Sequence, residues 1–173
     1  IIEAAELNNL LQGMVGTIEF PYPIFSAKTV QGKPLHTWTM ENRLHEITIP
    51  TRKSEIYKLS LDNIKTFSRL EIAEAALAKV DLIPPVTDPR KALGNDFRRP
   101  EVRRAWQEFK AAGPEEDVFY LAEITCICSS GTYMRTLAEV IAEKINTKGL
   151  AFSIHRNIIG KYGKQEKNWL MKF

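Results

Sequence analysis

The chain has 173 residues, 44% of them hydrophobic, which is enough for one folded domain with a core of its own. No stretch approaches the roughly 20 apolar residues that span a bilayer, so no transmembrane helix is predicted. The first residues lack the pattern of a secretory signal, so no signal peptide is predicted. The net charge is +3, but residues 144–173 hold seven Lys or Arg against one Glu, which indicates either a polyanionic partner or a solvated chain end.

A helix is predicted over residues 3–14, and Gly16 lies where that helix could end. Its apolar stripe is formed by Leu7, Leu10, Leu11 and Met14. Pro21 and Pro23 then favour an extended path. The basic and polar residues that follow, with a turn at Gly32, are more typical of a protruding loop or hairpin than of core.

Residues 45–61 read as two strand-like runs that meet at Pro50. Ile47 and Ile49 belong to the first run. The second is apolar and aromatic at Ile56, Tyr57, Leu59 and Leu61. Two strands are therefore expected before the chain changes character.

Residues 62–116 are predicted to form a helical insertion between two strands. Ser68 and Glu71 have the spacing of a capping box, and Pro100 can open a second helix that Gly113 follows. The apolar stripes consist of Leu70, Ala73, Leu77 and Val80 in the first helix and Val102, Trp106 and Phe109 in the second. Two such helices either pack on each other without a specific function or enlarge a binding surface.

The next strand is predicted over residues 116–128, and a helix over 132–145 follows it. The apolar face of the strand is expected to consist of Val118, Tyr120, Ala122, Ile124, Cys126 and Cys128. The two cysteines lie two residues apart without clustered histidines, which favours reduced core thiols of a cytoplasmic protein over a metal site. Residues 149–163 again look strand-like, and the chain ends in a basic segment.

The sequence CSSGTYMRT, residues 128–136, forms the junction between that strand and that helix, and we call it the elbow. A loop entering a helix presents free N–H groups that favour an anion. Gly131 permits a close approach, while Ser129, Ser130 and Thr132 can cap the helix or donate hydrogen bonds. An arginine such as Arg135 suits carboxylate or phosphate. These residues fit either an anion-binding loop or a plain helix start.

The segment CSSGTYMRTLAEVIAEKI resembles the motif of the TruB family of tRNA pseudouridine synthases, C-S-x-G-T-Y-I-R-x-L-A-x-D-[IL]-G. Two further segments are similar to that family. GTIEFPYPIFSAKTVQGKPL matches its thumb, which grips the T loop of tRNA, and LAFSIHRNIIGKY matches a later strand. The resemblance implies an α/β (α+β) fold with a mixed, mostly antiparallel sheet, packed helices and a thumb over residues 20–46.

The same resemblance implies roles for single residues. Tyr133 matches the tyrosine that packs on the target uracil, and Arg135 the arginine that orients the catalytic aspartate. The rest of the pocket is implied at Ile154, Arg156, Gly131 and Thr132, with His155 in place of the first of two arginines. RNA contacts are expected at Lys28, Lys33, His36, Lys161 and Lys164. The implied reaction uses no cofactor and no metal.

The family's aspartate loop, G-x-T-G-T-L-D-P, has no counterpart in these 173 residues. Arg135 is therefore expected to be exposed or paired with another group, and the sheet to have an open edge. The chain is interpreted as a single partial catalytic domain that is inactive alone, either as part of a longer synthase or as a short paralogue that binds tRNA without catalysis. A domain whose basic end contacts another protein is a weaker alternative. The sequence leaves the oligomeric state open.

Overall fold

The computed structural model describes residues 3–88 and 96–173. It divides into two compact units: Glu3–Leu61 with Ile124–Phe173, and Asp62–Glu123. Both contain helices and strands, as expected for a mixed α+β protein. Three strand pairings are antiparallel: residues 16–21 with 51–56, 29–30 with 33–34, and 160–163 with 168–172. Among residues 3–88 and 96–173, no helix combines the length and the apolar character needed to cross a membrane.

The first unit contains a three-stranded sheet in the order β1-β4-β5. Its strands are β1 (Gly16–Pro21), β4 (Thr51–Ser68) and β5 (Val118–Cys128), and the last two continue into the second unit. Helix α1 (Ala4–Gly13) is tied to β4 by the Gln12 side chain, whose Nε2 donates to the Leu59 carbonyl at 2.8 Å. Helix α5 (Met134–Lys144) packs against β1. The core of this unit includes Leu7, Leu11, Met14, Phe20, Ile56, Leu59, Leu137 and Ile141.

Residues 29–40 form a hairpin and a short helix within the first unit. Strands β2 (Thr29–Val30) and β3 (Lys33–Pro34) are joined by a turn at Gln31 and Gly32, both with positive φ. The turn predicted at Gly32 is therefore confirmed. Helix α2 (Leu35–Met40) follows, and its Leu35 and Trp38 are buried, so this segment has an apolar core that the sequence did not indicate.

The second unit contains α3 (Arg69–Asp81) and α4 (Arg99–Ala111), which pack on each other. The capping box is confirmed, because the Ser68 hydroxyl and the Glu71 side chain each bond the other's backbone N–H. The stripe of α3 is shifted from the prediction: Leu70 and Leu77 are half-buried. The buried residues are Ile72, Ala73, Ala76 and Val80. Residues 62–68 are strand rather than helix, because β4 runs on to Ser68.

Of two predicted strands, the one before Pro50 is absent from the described residues, and the one over residues 149–163 is reduced to residues 160–163. Residues 47–50 are irregular after a 3-10 turn at Leu44–Glu46, and residues 149–159 are irregular as well. Neither segment has a partner strand to satisfy its backbone, and an unpaired strand is not stable in water. The last strands are β6 (Gly160–Gly163) and β7 (Asn168–Lys172), which form an antiparallel pair. Gly16 also does not end α1, since the helix stops at Gly13 and Gly16 begins β1.

The buried face of β5 changes along the strand. Val118, Tyr120 and Ala122 were predicted to face the core, yet all three are exposed, while Phe119 and Leu121 are half-buried. The Phe119 ring meets Phe109 of α4 edge to face, with centroids 5.0 Å apart. From Ile124 to Cys128 the expected face is half-buried. The prediction therefore fails in the second unit, where a helix covers the other face.

Candidate functional site

The elbow is fixed to β4 by two hydrogen bonds between Ser129 and the backbone of Glu55. The Ser129 N–H donates to the Glu55 carbonyl at 2.8 Å, and the Glu55 N–H donates to the Ser129 hydroxyl oxygen at 3.0 Å. Ser129 therefore continues the pairing of the sheet beyond the end of β5. The next residues leave the sheet from a defined point on the neighbouring strand.

Arg52 of β4 lies against the turn of the elbow. Its Nη2 donates to the Ser130 carbonyl at 3.0 Å. Gly131 has φ +80°, and a Cβ built there would lie 2.6 Å from the Arg52 Cζ. The glycine is thus favoured by its backbone conformation, and a side chain in its place would also have to displace the Arg52 guanidinium. The sequence does not single out Arg52, because nothing local to residue 52 signals a contact with residue 130.

The start of α5 has no side-chain cap. The Thr132 hydroxyl donates instead to the Ser129 carbonyl at 2.8 Å. Of the two roles predicted for the small polar residues of the elbow, helix capping is therefore wrong. Hydrogen-bond donation is confirmed for Thr132. The first N–H groups of a helix lack intrahelical acceptors. Without a cap, those of α5 remain suited to an anionic ligand.

Tyr133, immediately before α5, belongs to a row of three side chains. Its half-buried ring meets the ring of Tyr22 edge to face, with centroids 5.5 Å apart. The Lys28 ammonium lies 5.2 Å from the centroid of Tyr22. This row connects the elbow to the predicted thumb, and Tyr22 is a second member that the sequence did not single out.

Arg135 is exposed on the first turn of α5, which is one of the two states that the sequence predicts for it. Within residues 3–88 and 96–173 it has no ion pair and no hydrogen bond. Ile154 is 53% exposed, and Arg156 is exposed in the same irregular segment. The structure records no contact that joins Ile154 to Tyr133 or Arg135.

Cys126 and Cys128 are free thiols, both half-buried near the end of β5. The thiol of Cys126 donates to the Cys128 sulfur, and this hydrogen bond is the main reason that the pKa of Cys128 is lowered to about 6. The Thr132 hydroxyl and the charge of Arg156 act in the same direction, against burial. The same hydrogen bond, with burial, raises the pKa of Cys126. Arg156 therefore acts electrostatically on the first residue of the elbow.

The other predicted RNA contacts differ in how much of their charge is available. Lys33 is paired with Glu41 at 2.7 Å and lies over the Trp38 ring, while His36 Nδ1 is 3.1 Å from the Ser26 carbonyl. Lys164 is paired with Glu55 and lowers the pKa of that carboxyl. Lys161 is exposed and has no partner among the described residues.

A cavity of about 240 Å³ lies beside the elbow. Its walls include Cys128, Ser129, Ser130 and Lys161, with aromatic rings that the site prediction did not contain. Neither this cavity nor a second one of about 150 Å³ is lined by Tyr133 or Arg135. No group of three or more His, Cys, Asp or Glu suited to a metal occurs in the described part of the chain.

The sequence matches no protein-family profile. It is 26% identical over 155 residues to a protein named tRNA pseudouridine synthase B from Caldicellulosiruptor saccharolyticus. The alignment covers 90% of this chain and 35% of that protein, so the chain spans about a third of the length of the curated relative it matches. This similarity supports a relationship between the chain and the pseudouridine synthases.

Proposed function

We propose that the chain is the RNA-binding part of a TruB-type tRNA pseudouridine synthase with a pseudouridine-synthase-like fold, and that it acts in the cytoplasm on the T stem-loop of tRNA. The proposal treats the chain as one partial catalytic domain. Residues 20–46 are its thumb, residues 62–116 a helical insertion and residues 144–173 a basic end. The motifs at residues 16–35 and 128–145 and the named relative support this assignment.

The observation that carries the proposal is a set of unpaired cations around the elbow. Arg52 touches Ser130, Arg156 lowers the pKa of Cys128, and Lys161 shares a cavity with Ser130. None of the three has an ion pair with a described residue. A cationic side chain that has no carboxylate partner in the protein can bind a phosphate without first breaking an ion pair, so little binding free energy is lost.

In the proposed reaction the target uridine is flipped out of the RNA, its N1–C1′ bond breaks, the base turns, and C5 bonds to C1′ with loss of the C5 proton. Tyr133 stacks on the base, and its pocket is completed by Ile154, Arg156, Gly131 and Thr132. Arg135 orients the catalytic carboxylate. The RNA backbone is held by Lys28, Lys33, His36, Lys161 and Lys164. No metal or cofactor is assigned a role.

The carboxylate that Arg135 serves belongs, in this proposal, to a part of the synthase outside the 173 residues. The chain alone then binds RNA and leaves the uridine unchanged. The exposed guanidinium of Arg135, which has no partner among the described residues, fits this view and a non-catalytic tRNA-binding module equally well. The two candidates differ only in whether an aspartate loop joins the chain in its natural setting.

The test compares two triple variants for binding to a fluorescent T stem-loop RNA. In one, the unpaired cations Arg135, Arg156 and Lys161 become Gln. In the control, three cations of the second unit that already have carboxylate partners become Gln: Lys65, Arg103 and Lys110. We expect the first variant to bind about 10- to 100-fold more weakly at low salt. The plot of log affinity against log salt should become less steep by roughly 2, while the affinity and the slope of the control variant stay close to those of the wild type.

Equal weakening in both variants would mean that net charge alone drives binding and would overturn the site. No binding by the wild-type chain at low salt would leave the protein-contact alternative. Release of tritium from RNA labelled at uridine C5 by the chain alone would show that a catalytic carboxylate lies within the 173 residues. That result would contradict the assignment of the aspartate to another part of the synthase.

A further inference from the structure

The cavity of about 240 Å³ beside the elbow has walls of two kinds. Three aromatic rings, Tyr57 of β4, Tyr162 of β6 and Trp169 of β7, line one part. Ser129, Ser130 and Lys161 line another. All these residues belong to the first unit. The proposed uracil site at Tyr133 does not use any of the three rings.

The rings are arranged at two angles. Tyr57 and Tyr162 stack with centroids 5.3 Å apart and 29° between their planes, while Trp169 stands at 78° to Tyr162 with centroids 5.5 Å apart. All three are half-buried, so each keeps accessible surface. A flat ligand can therefore stack on one ring while its edge meets another, which are the two favoured aromatic geometries.

The polar groups of the cavity are available to a ligand. The Ser129 hydroxyl oxygen accepts from Glu55 and keeps its own hydrogen to donate. Ser130 is exposed, and neither its hydroxyl nor the Lys161 ammonium has a partner within residues 3–88 and 96–173. Donors beside stacking surfaces suit a ring that carries carbonyl oxygens, and the ammonium suits a phosphate attached to that ring.

We infer that this cavity is a second nucleotide site, which takes one unstacked pyrimidine nucleotide of a single-stranded RNA segment. Trp169 supplies the stacking face, the Ser129 and Ser130 hydroxyls donate to the base carbonyls, and Lys161 contacts the phosphate. The volume is below the range of about 300–1,000 Å³ for sites of drug-sized ligands, which favours a single ring. The inference deepens the proposed RNA-binding function and rests on it for the identity of the ligand.

The test follows the three tryptophan indole N–H signals of the chain by NMR during titration with uridine 5′-monophosphate. The Trp169→Phe variant identifies the signal of Trp169. We expect that signal to shift in a saturable way, together with the backbone amides of Ser130 and Lys161, while Trp106 of the second unit does not respond. Trp169→Phe should still bind, as read from the amide shifts, and Trp169→Leu should bind roughly tenfold more weakly.

Two variants outside β7 test the site without the risk that a change at Trp169 disturbs the fold of that strand. Ser130→Ala and Lys161→Gln change exposed side chains and should each weaken the nucleotide several-fold with an unchanged unfolding midpoint. Ribose 5-phosphate is the matched ligand without a base. If it produces the same shifts as the nucleotide, the cavity binds anions only and the inference is overturned, as it is if the nucleotide causes no saturable shift.

The outcomes for the two proposals are distinct. Binding of the T stem-loop that depends on Arg135 and Arg156, without any response of Trp169 to nucleotide, would uphold the proposed function and reject the second site. A nucleotide-dependent shift of Trp169 in a chain that does not bind the T stem-loop would do the reverse. Equal shifts with tyrosinamide would mean that the cavity accepts any aromatic group, and would reject a nucleotide site.

Discussion

The second unit and the C-terminal part of the first, Ile124–Phe173, differ in how their cations are paired. Within Asp62–Glu123, basic side chains are tied to carboxylates by ion pairs made by Lys65, Arg69, Arg98, Arg99, Arg103 and Lys110. Within Ile124–Phe173 the sequence has eight Lys or Arg against three Glu, and Lys164 is the one among these cations with an ion pair to a described residue. These cations of the second unit are used internally, whereas those of Ile124–Phe173 other than Lys164 have no ion pair with a described residue.

This difference shows that the net charge of a segment, together with the ion pairing of its Lys and Arg side chains, indicates a candidate ligand-binding surface better than the net charge of the whole chain does. The whole chain carries only +3, a value that by itself says little about a partner. Exposed ion pairs are worth about 0–1 kcal/mol, so the paired cations of the second unit are mostly minor stabilisers. Arg69 differs from most of them because its side chain is only 13% exposed, a value that Arg99 shares, and because it also lies over two aromatic rings.

The largest expected effect on stability is therefore at Arg69. Its guanidinium donates to the Asp117 carboxylate at 2.7 Å and to the Phe109 carbonyl at 2.9 Å, and it lies over the Phe109 and Phe119 rings. We expect Arg69→Met to lower the free energy of unfolding by about 2–4 kcal/mol, through lost hydrogen bonds and an unpaired acceptor. Urea denaturation measures it.

The matched control for this prediction is Arg135→Met, which removes an exposed arginine without a described partner. Its effect on the free energy of unfolding should stay within about 0.5 kcal/mol. If Arg69→Met and Arg135→Met have the same free energy of unfolding, the distinction between cations that stabilise the fold and cations that are free to bind a ligand is wrong. Arg69→Lys should fall between wild type and Arg69→Met, because it keeps the charge and loses the planar fork.

A smaller effect is expected at Gly131. Gly131→Ala should cost about 1–3 kcal/mol, because the residue has φ +80° and the new Cβ would overlap the Arg52 guanidinium. In an Arg52→Ala background the steric part disappears and the conformational part remains, so the cost should be lower. Equal costs in both backgrounds, measured by thermal unfolding, would mean that Arg52 does not restrict the elbow.

The local features were the ones that the sequence predicted well. The stripe of α1 and the Ser68–Glu71 capping box depend on residues a few positions apart, and both are confirmed. Arg52 and the exposed half of β5 depend on contacts between distant parts of the chain. Residues 149–159 have strand-forming composition, but they lack a partner strand in the described structure. The roles of Tyr133 and Arg135 stay predictions.

The smallest expected effect concerns the chemistry of Cys128 and leaves the fold intact. Thiolates, not thiols, react with iodoacetamide. Because the pKa of Cys128 is lowered to about 6, its rate should rise through that pH and level off near pH 7. Cys126→Ala removes the main hydrogen bond and should move the midpoint upward. Arg156→Gln should move it upward by less.

The midpoints are measured by mass spectrometry of alkylated protein over a range of pH. Lys110→Gln is the control, since it removes a cation of the second unit and should leave the profile unchanged. An Arg156→Gln profile identical to wild type would show that the charge of Arg156 does not reach the elbow. The unpaired cations would then not form one electrostatic surface.

The path of β4 and β5 has a consequence for how this protein can change. The chain leaves the first unit at Leu61 in β4 and returns at Ile124 in the adjacent strand β5. Every hydrogen bond and ring contact described for the elbow is made within Glu3–Leu61 and Ile124–Phe173. Evolution can therefore lengthen, shorten or replace the intervening residues with little change at the elbow, and an engineer can try a short reverse turn in their place.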